Sequence, residues 1–586
     1  MSQLLDRPPI PSHAAARSAR RPVTRRQVMA RRLTGAFIVV VPIAWALHRA
    51  VPAGTDLVNR GGLHLLAALF GDVLHPSLDA TFLGLVAHAA GVTLAFAAIG
   101  TAGALVLGLL GGLILSDVAW RHRPPWPVRV VRLLLRLLLV AVRSVHELVW
   151  ALLFVSVLGL DPLVAVLAIA LPFGAQTAQV LAEMFDGVPP GPLQALRSAG
   201  ARPTSALAYT LLPQSAPLLL SYAFYRFECA VRSTVLLGVV GVGGLGQELV
   251  VSLQSRNWDE VWTLVGAVLL LSAMVDLWST RLRTDMAVVS CTEWFGGHEQ
   301  RSAPTPEEEN TSRDAGRSRS RWARWTAWLV LPGIVVAWLS SDVSLTGLTS
   351  PRTRQLTGRL LDDLWPPALP PGGWPALSSA VLDTLAMAVL AMAVAVAITL
   401  LMAPFATTPR RDTSADHIPL APRVFRGLLW WLARASLLVL RSVPPTVWAV
   451  VALLVLFPGV LPGALALGLY TGGILGRLVA EAWESVDTRA GDALRHSGLG
   501  RGTATLIATV PPSTHQLLTY TLYRFEICVR ETAVVGIVGA AGLGRLLAEN
   551  LAVFRFPVVT TLLAASFAVS AATEIIGRRL HRAMRA

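Results

Sequence analysis

Stretches of about 18 or more apolar residues recur along the whole chain, each long enough to cross a hydrocarbon core of roughly 30 Å as a helix. One such span would be an anchor, whereas a series of them can line a pathway. They fall near residues 33 to 50, 81 to 116, 137 to 158, 162 to 184, 216 to 247 and 259 to 279. A second set lies near 325 to 341, 377 to 403, 428 to 457, 460 to 480, 516 to 547 and 557 to 577. The expectation is an all-α polytopic integral membrane protein of about twelve transmembrane helices in two six-helix halves. Runs longer than about 25 residues must be tilted, broken or only partly embedded. Composition agrees: 54% of the 586 residues are hydrophobic and only 15% are charged, more apolar surface than a soluble core needs.

The formal net charge of +15 raises nucleic acid as a partner, but the basic residues sit between apolar segments and not on a soluble domain. The excess of positive charge in cytoplasmic loops accounts for them better. Arg17, Arg20, Arg21, Arg25, Arg26, Arg31 and Arg32 precede the first apolar run, while the loop after it holds Arg60 against Asp56, Asp72 and Asp79. The N-terminus is therefore expected inside, with residues 1–32 a polar cytoplasmic tail and no cleaved signal peptide. Six crossings later the chain returns to that side, and 281–324 reads as a polar cytoplasmic tether, with Glu307, Glu308 and Glu309 followed by Arg313, Arg317, Arg319, Arg321 and Arg324. This leaves two membrane domains, at 33–280 and 325–586.

No lysine occurs anywhere, so all 50 basic residues are arginine. A phosphate-binding P-loop needs a lysine to reach the β- and γ-phosphates, so the chain is not expected to hold a conventional ATPase site of its own. Cys229, Cys291 and Cys528 have no CxxC spacing and read as small core residues. No HExxH, no GxSxG with a plausible triad and no carboxylate–histidine cluster occurs, so neither a metal site nor nucleophilic catalysis is expected.

The two sets of helices are copies of one unit. Arg143-Ser-Val returns 298 residues on as Arg441-Ser-Val, and the same offset carries Trp150 to Trp448, Gly200 to Gly498, Pro213 to Pro511 and Gly246 to Gly544. An even number of crossings per unit makes both copies face the same way, related by a pseudo-two-fold axis along the membrane normal. A substrate path would lie between them.

Three segments of the repeat carry functional information. After the fourth helix of each unit comes a polar loop, Gln194-Ala195-Leu-Arg-Ser-Ala-Gly200 with Pro213 beyond it, and Asp492-Ala493-Leu-Arg-His-Ser-Gly498 with Pro511 beyond it. These loops resemble the EAA loop of bacterial ABC-importer permeases, in which a short helix, a turn at Gly and a second short stretch dock into an ATPase subunit. Gln194 and Asp492 replace the family's Glu. The alternative is an ordinary interhelical loop, made less attractive by two matches at one offset and on one expected side.

The second segment reads Tyr222-Ala-Phe-Tyr225-Arg226-Phe-Glu228-Cys-Ala-Val-Arg232, returning as Tyr520-Thr-Leu-Tyr523-Arg524-Phe-Glu526-Ile-Cys-Val-Arg530. Within ABC permeases this string, followed by a glycine-rich segment, is similar to the phosphonate permease type. The stretches from Arg143 to Trp150 and from Arg441 to Trp448 resemble that family as well, with His146 and the Pro445-Thr446 pair as departures. Tyr225, Glu228 and Arg232 share one helical stripe, which permits a Glu228–Arg232 ion pair. Charges centred in lipid cost on the order of 3 kcal/mol each on insertion scales, so they must face a polar cavity, one another or an interface. Tyr225, Arg226, Glu228, Arg232, Tyr523, Arg524, Glu526 and Arg530 are thus candidates for an anion-attracting path, arginine being suited to bidentate contact with phosphorus oxyanions. A structural ion-pair network near the cytoplasmic mouth is the alternative.

The third segment, Gly241-Val242-Gly243-Gly244-Leu245-Gly246, matches a dinucleotide-binding fingerprint by letter only. No alternating strand–helix pattern precedes it, and Gly539-Ala-Ala-Gly542-Leu-Gly544 lacks the middle glycine. Gly241, Gly244, Gly246, Gly539, Gly542 and Gly544 are expected instead to break helices and let backbones approach, as a gate between the two halves would need; plain small-residue helix packing is the simpler alternative.

The resemblance implies a MetI-like permease fold in the bacterial plasma membrane with both termini cytoplasmic. It further implies no cofactor beyond ATP bound by a partner, and as partners two cytoplasmic ABC ATPase subunits, an extracytoplasmic substrate-binding protein and a small anionic substrate, with no nucleic acid. A secondary transporter with parallel repeats, needing no ATPase, is the rival reading.

Overall fold

The computed structural model describes residues 25–285, 321–408 and 420–585, apart from 53, 55, 119, 121–124, 190 and 488. The first half runs α1 (Arg25–Ala50), α2 (Gly62–Gly71), α3 (Ala80–Leu115), α4 (Trp126–Ser144), α5 (Glu147–Leu158), α6 (Pro162–Asp186), α7 (Gly191–Ser198), α8 (Pro203–Leu237), α9 (Leu245–Ser255) and α10 (Trp258–Asp285). The second half opens with α11 (Arg321–Ser340), α12 (Thr346–Thr349), α13 (Pro351–Asp363), α14 (Gly373–Ala406), α15 (Leu420–Ser442) and α16 (Pro445–Val455). It continues with α17 (Val460–Ser485), α18 (Arg489–His496), α19 (Arg501–Ile537), α20 (Leu543–Ala552) and α21 (Phe556–Arg585). Among the described residues the one departure from helix pairing is an isolated antiparallel bridge between Val58 and Leu456. The expected tail and tether lie largely outside the described residues; their described ends, 25–32, 281–285 and 321–324, are helical.

Among the described residues six helices are long and apolar enough to span a bilayer unaided, and nine spans result when each sharply bent pair is counted as one crossing. The other three expected crossings fall on α1, on α11 and on the α19–α20 pair. Three runs expected as single helices are broken. The α4–α5 and α15–α16 pairs each bend by 93°, and the end of α8 meets α9 at 45°. At the first corner Val145 and His146 are extended, and the His146 ring caps the new helix by accepting from the Leu148 N–H. At the second, Pro445 cannot donate and pushes Pro444 out of the helical region. A tryptophan braces each corner. Trp150 Nε1 donates to the Val142 carbonyl at 3.2 Å and Trp448 Nε1 to the Leu440 carbonyl at 3.3 Å, occupying acceptors that the helix end leaves open.

Within each half, glycines let two long spans pack at backbone distance. In the first half most sit on α3, where Gly100, Gly103, Gly111 and Gly112 face Ile169, Ala170, Ala178 and Leu181 of α6, and one, Gly174, sits on α6 against Leu107. In the second they have moved to α17, where Gly463, Gly468 and Gly472 face Met387, Val394 and Ile398 of α14. Either placement lets the helices close up without a hydrophobic driving force from lipid.

Between the halves, elements are exchanged reciprocally. The C-terminal end of α1 packs on α14, with Ala46 and Ala50 buried in the second half's core and Arg49 Nε donating to Asp383 at 2.7 Å. Conversely, α11 packs on α3, placing Ala337 in the first half's core. The short arms beyond the 93° corners do the same: Val149 of α5 is buried among Leu377, Leu543 and Leu547, and Val447 of α16 joins the first core. At one end of the bundle the loop before α2 meets the end of α16 through Asn59 N to Val455 O at 2.7 Å and Phe457 N to Leu57 O at 3.2 Å. Since α3, α10, α14 and α21 all begin at that end, α6 and α17 finish at the opposite one, and both following loops lie on the same face.

Candidate functional site

Those loops form two elbows. In the first, α7 ends in a Schellman turn: Gly200 N donates to Arg197 O at 3.1 Å, Ala201 N to Leu196 O at 3.1 Å, and Gly200 sits at φ +84°. The second repeats it through Gly498 N to Arg495 O at 3.0 Å and Leu499 N to Leu494 O at 3.2 Å, with Gly498 at φ +89°. A side chain at either position would meet no neighbour, so glycine is required here by the left-handed backbone and not by space. Gln194, Ala195 and Ala493 are exposed, and Asp492 lies 3.3 Å from Arg495.

The chain after each turn differs from the expected short stretch. It enters α8 or α19 directly, helices of 35 and 37 residues. At 1.5 Å per residue these reach roughly 50 Å, so their first turns project beyond a hydrocarbon core of about 30 Å. Pro213 and Pro511 are exposed residues inside those helices and make no turn. Beside the elbows Tyr209 is 79% exposed, and Leu196, Leu212, Leu506 and Ile507 are exposed with it, leaving apolar surface on both projecting helices.

Deeper in, the charged string becomes a set of internal pairs. Arg232 donates to Glu228 and Arg530 Nη2 donates to Glu526 at 2.8 Å, the i, i+4 pairing that the spacing permits. Arg226 is boxed: its Nε donates to the Tyr222 hydroxyl at 2.7 Å, and its guanidinium lies 5.0 Å from the Phe173 ring, 5.2 Å from that of Tyr222 and 6.0 Å from that of Tyr225. Arg524 approaches Glu531 at 3.6 Å. Tyr225 and Tyr523, half-buried, come near one another across the two halves.

Sequence reasoning passed over three features of this centre. Tyr470 of α17 interacts electrostatically both with Arg232 and Cys229 of the first half and with Arg524 and Glu531 of the second. Glu147 opens α5 and accepts from Ser233 Oγ at 2.6 Å. Most informative are two reciprocal ion pairs between the halves. Arg143 Nη2 meets Glu574 at 2.6 Å, and Arg441 Nη2 meets Asp276 at 2.9 Å, both partners being 298 residues on from their counterparts. The repeat offset held this pattern, but no spacing rule says that the partners lie in opposite copies. Asp276 is also held by Arg477 at 2.8 Å.

The glycine segments do break the helix: Gly241, Gly243 and Gly244 have φ of +86°, +109° and +81°, and Gly539 and Gly542 have +119° and +93°. The close approach they make in this structure is within each half. Gly246 presses on the Val235 carbonyl and Gly544 on that of Ala533, so that α9 and α20 fold back on the ends of α8 and α19. Leu245 N and Leu543 N then donate, each at 2.9 Å, to the hydroxyls of Thr93 and Thr384 on the long spans. Glycine between halves is found elsewhere, where Gly62 abuts the Leu454 carbonyl.

Cavities lie at the junction. One of about 730 Å³ opens where α1 ends against α14, lined by Trp45, His48, Arg49, Asp56, Asp383 and Phe457. Another, about 30 Å³, is lined by His146, Thr384, Arg530, Thr532 and Ser570 and has room for little more than water.

The chain is similar to known transport proteins over most of its length. It is 29% identical over 536 residues to the phosphate-import permease protein PhnE of Mycolicibacterium smegmatis, covering 91% of this chain and 90% of that one. It is 35% identical over 249 residues to the phosphite transport system permease protein PtxC of Stutzerimonas stutzeri, covering 42% of this chain and 86% of that one. Among solved structures, an amino acid ABC transporter crystallised with histidines aligns with 36% of this chain and 94% of its own, at 18% identity and a TM-score of 0.29. The family model for the binding-protein-dependent transport system inner membrane component matches twice, at residues 108–288 and 418–586. With both matches placed on the repeated helices, the chain belongs to that family of ABC-importer permeases and joins two of its domains in one polypeptide.

Proposed function

We propose that this permease imports a small phosphorus oxyanion, such as phosphate, phosphite or a phosphonate, at the expense of ATP hydrolysed by partner subunits. The observation that carries the reading is the pair of glycine-turned elbows on one face, each rigidly continuous with a helix that reaches the charged centre. Two cytoplasmic ATPase subunits, one per elbow, would move α8 and α19 together, and an extracytoplasmic binding protein would deliver substrate at the opposite face. The names of the relatives support the substrate class. In this reading the chain binds no cofactor of its own and hydrolyses no ATP. It lies in the bacterial plasma membrane with both termini cytoplasmic. Residues 33–280 and 325–586 are its two transport domains, and 1–32 and 281–324 are cytoplasmic segments.

The test is reconstitution of the chain with its ATPase and binding protein in proteoliposomes, using labelled phosphate, phosphite and methylphosphonate. ATP-dependent uptake of at least one is expected, lost when the ATPase is omitted. Uptake that persisted without the ATPase would favour a secondary transporter, and uptake of none would remove the substrate assignment.

A further inference from the structure

The repeat places the same arginine in two different settings. In the first half the Nε of Arg226 donates to Tyr222 and the guanidinium lies among the rings of Phe173, Tyr222 and Tyr225, all from its own half. At the matching positions of the second half, Thr471 stands for Phe173 and Glu531 for Ser233. Arg524 is buried as deeply, at 7% exposure against 8%, but its Nε and Nη2 make no hydrogen bond, and neither does Oε2 of Glu531, 3.6 Å away. Buried charged groups left short of partners are rare because each missing bond is costly, so such a pair calls for a partner that arrives from elsewhere.

A second difference points the same way. The two halves carry a carboxylate at different members of one matched pair of positions: Glu147 on α5, bonded to Ser233, in the first half, and Glu531 on α19, with Pro445 at the position of Glu147, in the second. Glu531 therefore sits beside Arg524 and lies within electrostatic reach of His146 and Glu147 of the other half. Tyr470, where the first half has Pro172, adds a phenol to the same spot. Separation of the halves would open this cluster, whereas Arg226 would remain in its box.

We propose that the path is asymmetric and that Arg524, not Arg226, is the arginine that contacts the transported oxyanion, with Glu531 as a resident carboxylate that the oxyanion displaces. Resting on the oxyanion reading above, this assigns the specificity-determining position to the second half alone. A tetrahedral oxyanion offers two oxygens to Nε and Nη2, the edge of the guanidinium that has no hydrogen-bond partner. Glu531 competes for that edge, keeps the site neutral between cycles and favours release.

The test is the equilibrium affinity of the full complex in nanodiscs for labelled inorganic phosphate, phosphite and methylphosphonate, alongside ATP-dependent uptake. Arg524→Lys, which keeps the charge but loses the fork, should weaken the affinity for the preferred anion at least tenfold. Glu531→Gln should tighten it at least threefold and slow uptake. An Arg524→Lys affinity within twofold of the parent, in a transporter that still imports, would overturn the assignment while leaving the oxyanion reading intact. Failure of the parent to bind or import any of the three would overturn both. Should Arg524→Lys fail to fold, Glu531→Gln decides alone, since unchanged or weaker binding in that variant contradicts displacement.

Discussion

Removal of Arg143 should loosen the junction between the halves by an amount that can be worked from its contacts. Its Nη2 lies 2.6 Å from Glu574 and the two side chains are 17% and 14% exposed. Unit charges about 4 Å apart at an effective dielectric near 20 attract by about 4 kcal/mol. In Arg143→Ala, Glu574 keeps Arg578 at 3.3 Å, but that arginine is 63% exposed and such contacts are worth about 1 kcal/mol or less. The net loss is then about 3 kcal/mol, at the lower edge of the range for breaking a buried pair. Because membrane proteins of this size unfold irreversibly, the inactivation rate at fixed temperature in nanodiscs is the suitable readout. A rise of about 100-fold is expected if the pair is fully broken at the barrier. A double-mutant cycle with Glu574→Ala should give a coupling of about 2 kcal/mol, and none is expected between Arg143→Ala and Asp276→Ala. Exchange of the charges, Arg143→Glu with Glu574→Arg, should recover part of the loss. Arg441→Ala should cost less, because Asp276 retains Arg477 at 2.8 Å. Coupling below about 0.5 kcal/mol for Arg143 and Glu574 would refute the idea that these pairs hold the halves together.

Three further outcomes are expected. Gly246→Ala and Gly544→Ala force a methyl group onto backbone carbonyls that cannot turn aside, and should cost about 3 kcal/mol or more in thermal stability, whereas Gly84→Ala, with open space around it, should stay within about 0.5 kcal/mol. Gly200→Ala and Gly498→Ala meet no neighbour but strain a left-handed backbone, so each should cost about 1 kcal/mol and lower ATP-coupled uptake more than it lowers the melting temperature. Asp79 caps α3, and the Thr81 hydroxyl with the Phe82 and Thr81 N–H groups holds its carboxyl below the ordinary range. A depressed folded value means that the stabilisation is present above the unfolded value, near 4, and is lost as pH falls through the folded one. The stability difference between the parent and Asp79→Ala should accordingly shrink as melting is followed from neutral pH into that window.

Much of the arrangement was legible in the sequence because it depends on local patterns. Apolar runs set the helices, and the 298-residue offset established two like-oriented copies. The offset also aligned the Schellman glycines, and spacing alone allowed Glu228–Arg232 and Glu526–Arg530. The corners at residues 145 and 444 were harder, since an apolar run reads the same whether its helix is straight or bent, although Trp150 and Trp448 were visible marks of them.

Tertiary structure decided whatever depended on which copy supplies a partner. Sequence periodicity determines which residues share a face of one helix, and so determined an all-helical membrane protein built from a repeated unit. It carries no term for distances between segments hundreds of residues apart. That Arg143 reaches Glu574, that α1 and α11 trade places, and that the Nε of buried Arg226 has a hydrogen-bond partner while that of equally buried Arg524 has none, all follow from how the two halves pack against each other.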